Sequence, residues 1–379
     1  MLRFGIIGLG NIGEVHVANF AAGKIIRGRL TAVSDLKSPL FALPAQVRYF
    51  AAADQMLDSG LVDALIVATP HPLHRQLGEA VLARGLHLLM EKPLTATKLD
   101  GEELLAVPRK PGQVFGVMMN LRLYPHYQRI KRWMDAGSLG ELQRVQWTIT
   151  KWFRPEAYYG LNAWRATWKG EGGGVLMNQA LHNLDVLQWL CGMPSWLRAF
   201  CHFGQYHDIE VEDNVVAYAE FAGGATGVFT TTTGEAPGVN RLEIAGTRGL
   251  VVREHDVLRL TCNEVDSREY SRTTDNDFGV PNTTSEEYAD EPNTAHAGVI
   301  NNFIEAVLDG RPLLTPAEEG LKSVELANAM VYSAWTNAPV RLPLDAMAYQ
   351  TALDRVIATS KPRVRVVRVA KIDMQKSYS

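Results

Sequence analysis

The sequence predicts a two-part α/β plus α+β protein. An N-terminal parallel sheet interleaved with helices leads into a region built on an open, mostly antiparallel sheet with helices on one face. Three observations carry this. Short runs of Val, Ile, Leu and Ala alternate with helical stretches up to about Asn120, the pattern of βαβ units. Beyond Asn120 the alternation stops, and β-rich runs follow one another through turns such as "AGGA". A length of 379 residues fits roughly two domains at about 150 residues each.

Composition narrows the function classes. Hydrophobic residues are 46% and charged residues 21%, as in soluble globular chains. The net charge of −3 gives no basic footprint for nucleic acid and no polybasic membrane signal. Cys191, Cys201 and Cys262 are odd in number and lack CxxC spacing, so neither a disulfide framework nor a metal site is indicated, and a reducing compartment fits. No apolar run reaches membrane-spanning length, and "MLRFGIIGLG" lacks the features of a secretory signal. The expected location is cytoplasmic.

The elements follow in order. "RFGII" reads as a strand ending in Gly8, Gly10 and Gly13, with Asn11 and Ile12 at the start of the next helix. GxGxxG between a strand and a helix is a dinucleotide-binding pattern. Gly8 permits the tight turn, Gly10 lets a pyrophosphate approach the backbone, and Gly13 lets the helix pack close. The helix N-terminus presents free N–H groups to phosphates. This makes the N-terminal sheet a Rossmann sheet. The second strand, "RLTAVSD", ends at Asp35, 22 residues beyond Gly13, where a carboxylate meets ribose hydroxyls and repels a 2′-phosphate. NAD is therefore the expected cofactor, with NADP also admissible because Lys37 is near. "VDALIVATP" delivers Thr69, Pro70 and His71 to the sheet's ligand-binding edge, with His74 one turn further on. "LHLLM" ends abruptly at Glu91, Lys92 and Pro93 on the same edge, with Glu91 placed to steady Lys92 and Pro93 to fix the backbone after it.

After the strand "QVFGVMM" come Arg122 and Tyr124, then the helix "YPHYQRIKRWMDAG" and the alternating strand "LQRVQWTITKWF". The unpatterned, aromatic "RPEAYYGLNAWRATWKGEGGG" offers Arg154, Tyr158, Trp164 and Arg165 to a polar ligand. The helical stretch "VLMNQALHNLDVLQWLCG" carries Asn178, His182 and Asp185 at i, i+4 and i+7, a spacing that puts them on one face. "NVVAYAEF" and "GVFTTTT" read as a hairpin, "NRLEIAGTRGLVVREHDVLRL" as further strands, and two helices follow. The polar stretch from about Asp266 to Asn293 reads as a surface excursion or lid. The expected division is 1–121, 122–345 and 346–379, the last a helix and basic tail that returns to the first domain.

These residue types suit nicotinamide chemistry. A base must take the hydroxyl proton as the hydride leaves, and His is the usual base near neutral pH. A lysine ammonium stabilises the same oxygen. Four stretches then carry a family resemblance: "GIIGLGNIG", "ATPHPLHRQLGEAVLARGLHLLMEKPLTAT", "GGGVLMNQALHNLDVLQWLCG" and "FIEAVLDGRPLLTPAEEGLKSVELANA". The chain resembles the glucose–fructose oxidoreductase, inositol dehydrogenase and rhizopine catabolism (Gfo/Idh/MocA) family. The resemblance implies that Lys92 is catalytic and His182 the general base, with Asn178 standing where an aspartate is frequent. It implies an NAD(P)-dependent dehydrogenase acting on a sugar, sugar derivative or cyclitol, with Asn178 and His182 also touching substrate. It further implies a homodimer or homotetramer formed through the open sheet face. Two alternatives stand beside it. One is a lyase or glycosidase using tightly bound NAD transiently. The other is a non-catalytic dinucleotide-binding sensor, which would be free to lose the lysine or the histidine; both are present.

Overall fold

The computed structural model describes residues 1–162 and 164–360. The first sheet has six strands, β1 (Leu2–Ile7), β2 (Gly28–Ser34), β3 (Arg48–Phe50), β4 (Ala64–Val67), β5 (His87–Met90) and β6 (Phe115–Val117). Their order is β3-β2-β1-β4-β5-β6, and every pairing is parallel. The order reverses between β1 and β4, which opens a ligand crevice at the strands' carboxyl ends. Alternate side chains serve the two faces. Leu65, Val67, Leu88 and Met90 pack with Val81, Leu82 and Leu104 of the helices His74–Ala83 and Lys98–Leu105. Phe4, Ile6, Ile66 and Leu89 pack on the other face with Val17 of the helix Asn11–Ala21. Cover on both faces explains why these strands read as continuous apolar runs. Thr97 caps the helix Lys98–Leu105 by accepting from the Asp100 N–H.

The helix Ala295–Asp309 lies late in the chain but packs on this first sheet. Its Ile300, Phe303 and Ile304 join the cluster of Phe4 and Ile6, with the Phe303 and Phe4 rings 6.2 Å apart. The helix Ala346–Thr359 touches the helix Lys98–Leu105. Buried Lys98 fixes the chain just before it, donating to the Leu344 carbonyl at 2.6 Å and pairing with Glu325 at 3.1 Å. The basic tail beyond Ser360 lies outside the described residues.

The second sheet has nine strands: β7 (Leu142–Ile149), β8 (Trp196–Phe203), β9 (Glu212–Glu220), β10 (Thr226–Thr232), β11 (Asn240–Gly246), β12 (Gly249–Glu254), β13 (Val257–Asn263), β14 (Thr283–Ala289) and β15 (Val340–Arg341). The order is β14-β13-β12-β11-β7-β10-β9-β8-β15, antiparallel except for the β7–β10 pair. Trp147, Leu197, Ala217 and Phe229 project into the core beneath the helices Leu181–Cys191 and Ala317–Thr336. No helix among the described residues is long and apolar enough to cross a membrane.

Two sequence expectations change. The 266–293 stretch lies at the surface but is regular structure rather than an unpatterned excursion. It forms a short exposed helix, Ser267–Thr273, and then edge strand β14 against β13. An edge strand with little to bury needs few apolar residues, which is why it reads as loop. The helix bearing His182 starts at Leu181, with residues 175–180 in turns. Asn178 is therefore outside it.

Candidate functional site

The glycine turn between β1 and the Asn11–Ala21 helix is fully determined by its neighbours. Gly8 has φ +96°, and a Cβ there would meet the Ala68 carbonyl oxygen at 2.5 Å. A Cβ on Gly13 would meet the Gly8 carbonyl oxygen at 2.1 Å, whereas one on Gly10 would meet nothing within 4 Å. The two outer glycines close the turn, and the middle one faces open space where a pyrophosphate fits. Asp35 stands at the end of β2, where its Oδ2 accepts from the Leu9 N–H at 2.7 Å and its Oδ1 from the Lys37 N–H at 3.1 Å. The carboxylate is thus fixed beside the glycine turn. Asn11 and Ile12 open the helix, and Pro70 opens the short 3₁₀ turn His71–Leu73. Thr69 Oγ1 is buried with no hydrogen-bond partner. The residues present suit NAD. Asp35→Ser should weaken NAD more than NADP, shifting the affinity ratio roughly 10-fold, about one lost charge-assisted hydrogen bond. Titration with both cofactors checks this, and an unchanged ratio would remove Asp35 from ribose binding.

Lys92 follows β5 and reaches across the domain junction. Its Nζ donates to the Asn178 carbonyl at 2.7 Å. Burial lowers its pKa below the usual lysine value; Glu91 and Glu171 oppose that, while Arg165 and Arg154 add to it. His182, on the first turn of its helix, is 6% exposed, and neither ring nitrogen has a hydrogen-bond partner. Burial, then the charge on Lys92, then His296, push its pKa well below 6.5, so it is neutral and able to accept a proton. A buried imidazole with two unmet nitrogens beside a lysine is a costly arrangement for structure alone.

Several anticipated roles change. Glu91 pairs with His16 rather than with the Lys92 ammonium: its Oε1 lies 2.7 Å from His16 Nε2, and its Oε2 accepts the Lys92 backbone N–H at 3.0 Å. Burial alone would raise Glu91, but the His16 hydrogen bond and the neighbouring His16, His296 and Lys92 hold it at about 2. His74 is fully buried with its ring nitrogens 2.8 Å and 2.9 Å from the Pro93 and Thr69 carbonyls, so it ties two strand exits together. His71 Nδ1 lies 2.9 Å from the Glu171 carbonyl and its ring 5.9 Å from that of Trp164. Asp185 turns away from His182. It forms a two-pronged pair with Arg122, at 2.7 and 2.8 Å, in which both side chains are 2% exposed or less. Neither is available to substrate, because each satisfies the other. Tyr124 packs by the His126 and Tyr127 rings, with Arg253 and Asp290 as its charged neighbours. Arg122→Met would strand a buried Asp185 carboxylate and should cost about 3–5 kcal/mol, read by thermal or urea unfolding. A change below about 1 kcal/mol would contradict the pairing.

The structure adds residues that the sequence did not single out. Glu171, buried, accepts from the Ala166 N–H at 2.6 Å and from the Asn178 side-chain amide. It thereby holds Asn178, whose carbonyl holds Lys92. His296 stands edge-on to His16 with centroids 5.7 Å apart, and burial brings its pKa to about 4. Glu212 accepts from the Gly174 and Leu176 N–H groups at 2.8 and 3.1 Å, fixing the glycine turn before His182, and burial raises its pKa to about 7. Around this centre Arg165 donates to the Tyr158 hydroxyl at 2.5 Å and lies over the Trp164 ring at 5.0 Å. Arg154 lies over Tyr158 at 5.3 Å.

Known proteins share this fold. Residues 2–119 match the oxidoreductase family with an NAD-binding Rossmann fold, and residues 127–252 match the GFO/IDH/MocA C-terminal domain. Inositol 2-dehydrogenase of Rhizobium meliloti (strain 1021) is 26% identical over 355 residues, 88% of this chain and 96% of that protein. Levoglucosan dehydrogenase of Pseudarthrobacter phenanthrenivorans is 24% identical over 290 residues, 67% of this chain and 74% of that protein. The crystal structure of the WlbA dehydrogenase from Bordetella pertussis, in complex with NADH and UDP-GlcNAcA, superposes with a TM-score of 0.74 at 28% identity, covering 91% of this chain and 99% of that one. The chain belongs to the Gfo/Idh/MocA oxidoreductase family, an NAD-dependent dehydrogenase built on a Rossmann domain and a second, mostly antiparallel sheet.

Proposed function

We propose that the protein oxidises a secondary alcohol of a sugar, sugar derivative or cyclitol with NAD, or runs the reverse reduction, with Lys92 and His182 at the reacting oxygen. The observation that carries this reading is buried, neutral His182 with both ring nitrogens unmet, set beside a lysine held by the Asn178 carbonyl. NAD, when bound, supplies the hydride acceptor. The substrate hydroxyl donates to a His182 nitrogen, which takes its proton as the C–H hydride leaves. The Lys92 ammonium donates to the same oxygen and steadies the negative charge that grows on it. Asn178 has no proton-accepting group and acts through its carbonyl, with Glu171 fixing its amide. Arg154, Tyr158, Trp164 and Arg165 form the wall that receives the rest of the sugar. Inositol and levoglucosan dehydrogenases among the relatives support the substrate class.

The outer face of the second sheet carries Phe200, Val216 and Val228, at 56%, 43% and 37% exposure, on adjacent strands. We place the contact of a homodimer or homotetramer there. Three unpaired cysteines and use of NAD fit a cytoplasmic setting. A panel of sugars and cyclitols assayed with NAD and with NADP tests the reading. NADH formation with at least one sugar or cyclitol supports it, and no turnover of any member with either cofactor would overturn it.

A further inference from the structure

Strand β9 opens with two successive acids, Glu212 and Asp213, both fully buried. Successive side chains of a strand point to opposite faces, so the two serve different neighbours. The Asp213 carboxylate takes the N–H groups of Gln205, Tyr206 and His207. Glu212 takes the glycine turn. Its Oε1 accepts from Gly174 at 2.8 Å and from Leu176 at 3.1 Å, and its main-chain carbonyl accepts from Val175 at 2.9 Å. Three consecutive N–H groups thus end on one residue. They are the donors that a starting helical turn leaves without a partner of its own. The seat is close, since a Cβ on Gly174 would meet the Glu212 carbonyl oxygen at 2.0 Å.

From this seat the hydrogen bonds run on to the reacting centre. The Gly174 carbonyl accepts from the Asn178 N–H at 3.0 Å, and the Asn178 carbonyl accepts from the Lys92 ammonium at 2.7 Å. The Val175 carbonyl accepts from Gln179 at 3.1 Å and from Ala180 at 2.8 Å, immediately before the helix that bears His182. Glu171 holds the Asn178 side chain, whereas Glu212 holds the backbone of the turn. The grip does not need a charge. Glu212 Oε2 is buried without a hydrogen-bond partner, as is the Tyr349 hydroxyl. The ionisable groups around Glu212 are Glu171, Tyr349 of the helix Ala346–Thr359 and Cys201 of β8, none of them a cation. Burial raises Glu212 to about 7 against the pull of the N–H groups, and Glu171 adds to the rise. Oε1 accepts in either protonation state, because Oε2 is left for the proton, and a side-chain amide offers the same acceptor.

We propose that Glu212 is a positioning residue for Lys92: by gripping the backbone of residues 174–176 it sets the Asn178 carbonyl where the ammonium meets it. What the lysine then does rests on the dehydrogenase reading above. A carbonyl oxygen against an ammonium favours its charged form and fixes its direction. Release of the turn therefore has two consequences. The Lys92 pKa falls further, and the ammonium is aimed less well at the substrate oxygen.

The test compares the full-length protein with three variants. Glu212→Gln keeps the Oε1 acceptor, Glu212→Leu removes it, and Glu212→Asp draws it back by one methylene. Lys92 is titrated directly, by its rate of labelling with an amine-reactive anhydride across the alkaline pH range, read by mass on its peptide. This needs no substrate. The kcat on an oxidisable sugar, NADH affinity and Tm are read alongside. For Glu212→Leu and Glu212→Asp the expected result is a Lys92 titration about one pH unit lower, one lost hydrogen bond to a charged group. Their kcat should fall about 10- to 100-fold through misplacement, with NADH affinity within about 3-fold of wild type. Glu212→Gln should keep the wild-type titration and a kcat within about 3-fold. An unchanged Lys92 titration and kcat in folded Glu212→Leu or Glu212→Asp, whatever the Tm, would overturn the positioning role and leave Glu212 a structural residue. If neither folds, Glu212→Gln decides: wild-type values support the role, and a lowered titration or a kcat loss of about 10-fold or more would overturn it. A wild type that turns over no sugar would overturn the dehydrogenase reading, while the Lys92 titration still decides the positioning.

Discussion

Lys92→Met should abolish turnover, lowering kcat by about 10³-fold or more, while NAD affinity stays within about 3-fold of wild type. The size follows from the role. A donor aimed at the oxygen where charge develops is worth about 10²–10³ in rate, and an ammonium in a water-poor site acts at the upper end. Methionine keeps the unbranched shape, so the loss isolates the charge and its hydrogen bond to the Asn178 carbonyl. The proposed cofactor contacts at Gly8, Gly10 and Asp35 belong to other strand ends and are untouched. Stability should not fall, because removing a desolvated charge from a half-buried position is neutral or favourable. NADH formation and a fluorescence titration with NADH separate the two effects. Retained turnover would take Lys92 out of the mechanism.

His182→Leu should lose about 10²–10⁴ in kcat and yet unfold at the same temperature or higher. The rate loss is that of a missing general base. The stability result follows from the two unmet ring nitrogens, since an apolar group of similar volume removes buried polar atoms that the free protein does not satisfy. A histidine held for structure would behave oppositely, costing stability when replaced. The pH dependence has a worked sign. The proposed mechanism needs neutral His182, whose pKa lies well below 6.5, so activity should stay level as pH falls through 6.5 and drop only further down. It also needs protonated Lys92, whose pKa lies below 10.5, so activity should fall as pH rises through that lowered value. An acid limb centred at 6.5 would contradict the burial of His182.

The geometry of the proposed cofactor half was legible because its logic is local. Gly8, Gly10 and Gly13 sit within one turn, Asp35 ends the next strand, and Lys92 ends an apolar run, so spacing alone placed them on one edge. The substrate half depends on contacts distant in sequence. Arg122 and Asp185 are 63 residues apart and neutralise each other, which no periodicity reveals. The i, i+4, i+7 argument assumed a helix from Val175, but the chain turns until Leu181, so Asn178 offers a carbonyl rather than a side chain. His16 meets Glu91 across 75 residues. Its place one turn after Gly13, on a helix packed against the ligand edge, was the available signal. Strand β8, "WLRAFCHF", escaped because Phe200 is exposed on the open sheet face and breaks the apolar alternation. Late helix Ala295–Asp309 returns to the first sheet, and only the fold shows that it brings His296 beside His16.

The most direct test of the central claim is a single-turnover reaction of the wild-type protein with NAD and an oxidisable sugar, in which NADH and the keto product are measured together. One NADH formed for each keto product, with neither formed by Lys92→Met, is the predicted result. Product released with no net NADH would contradict it and indicate that the hydride is returned to the substrate.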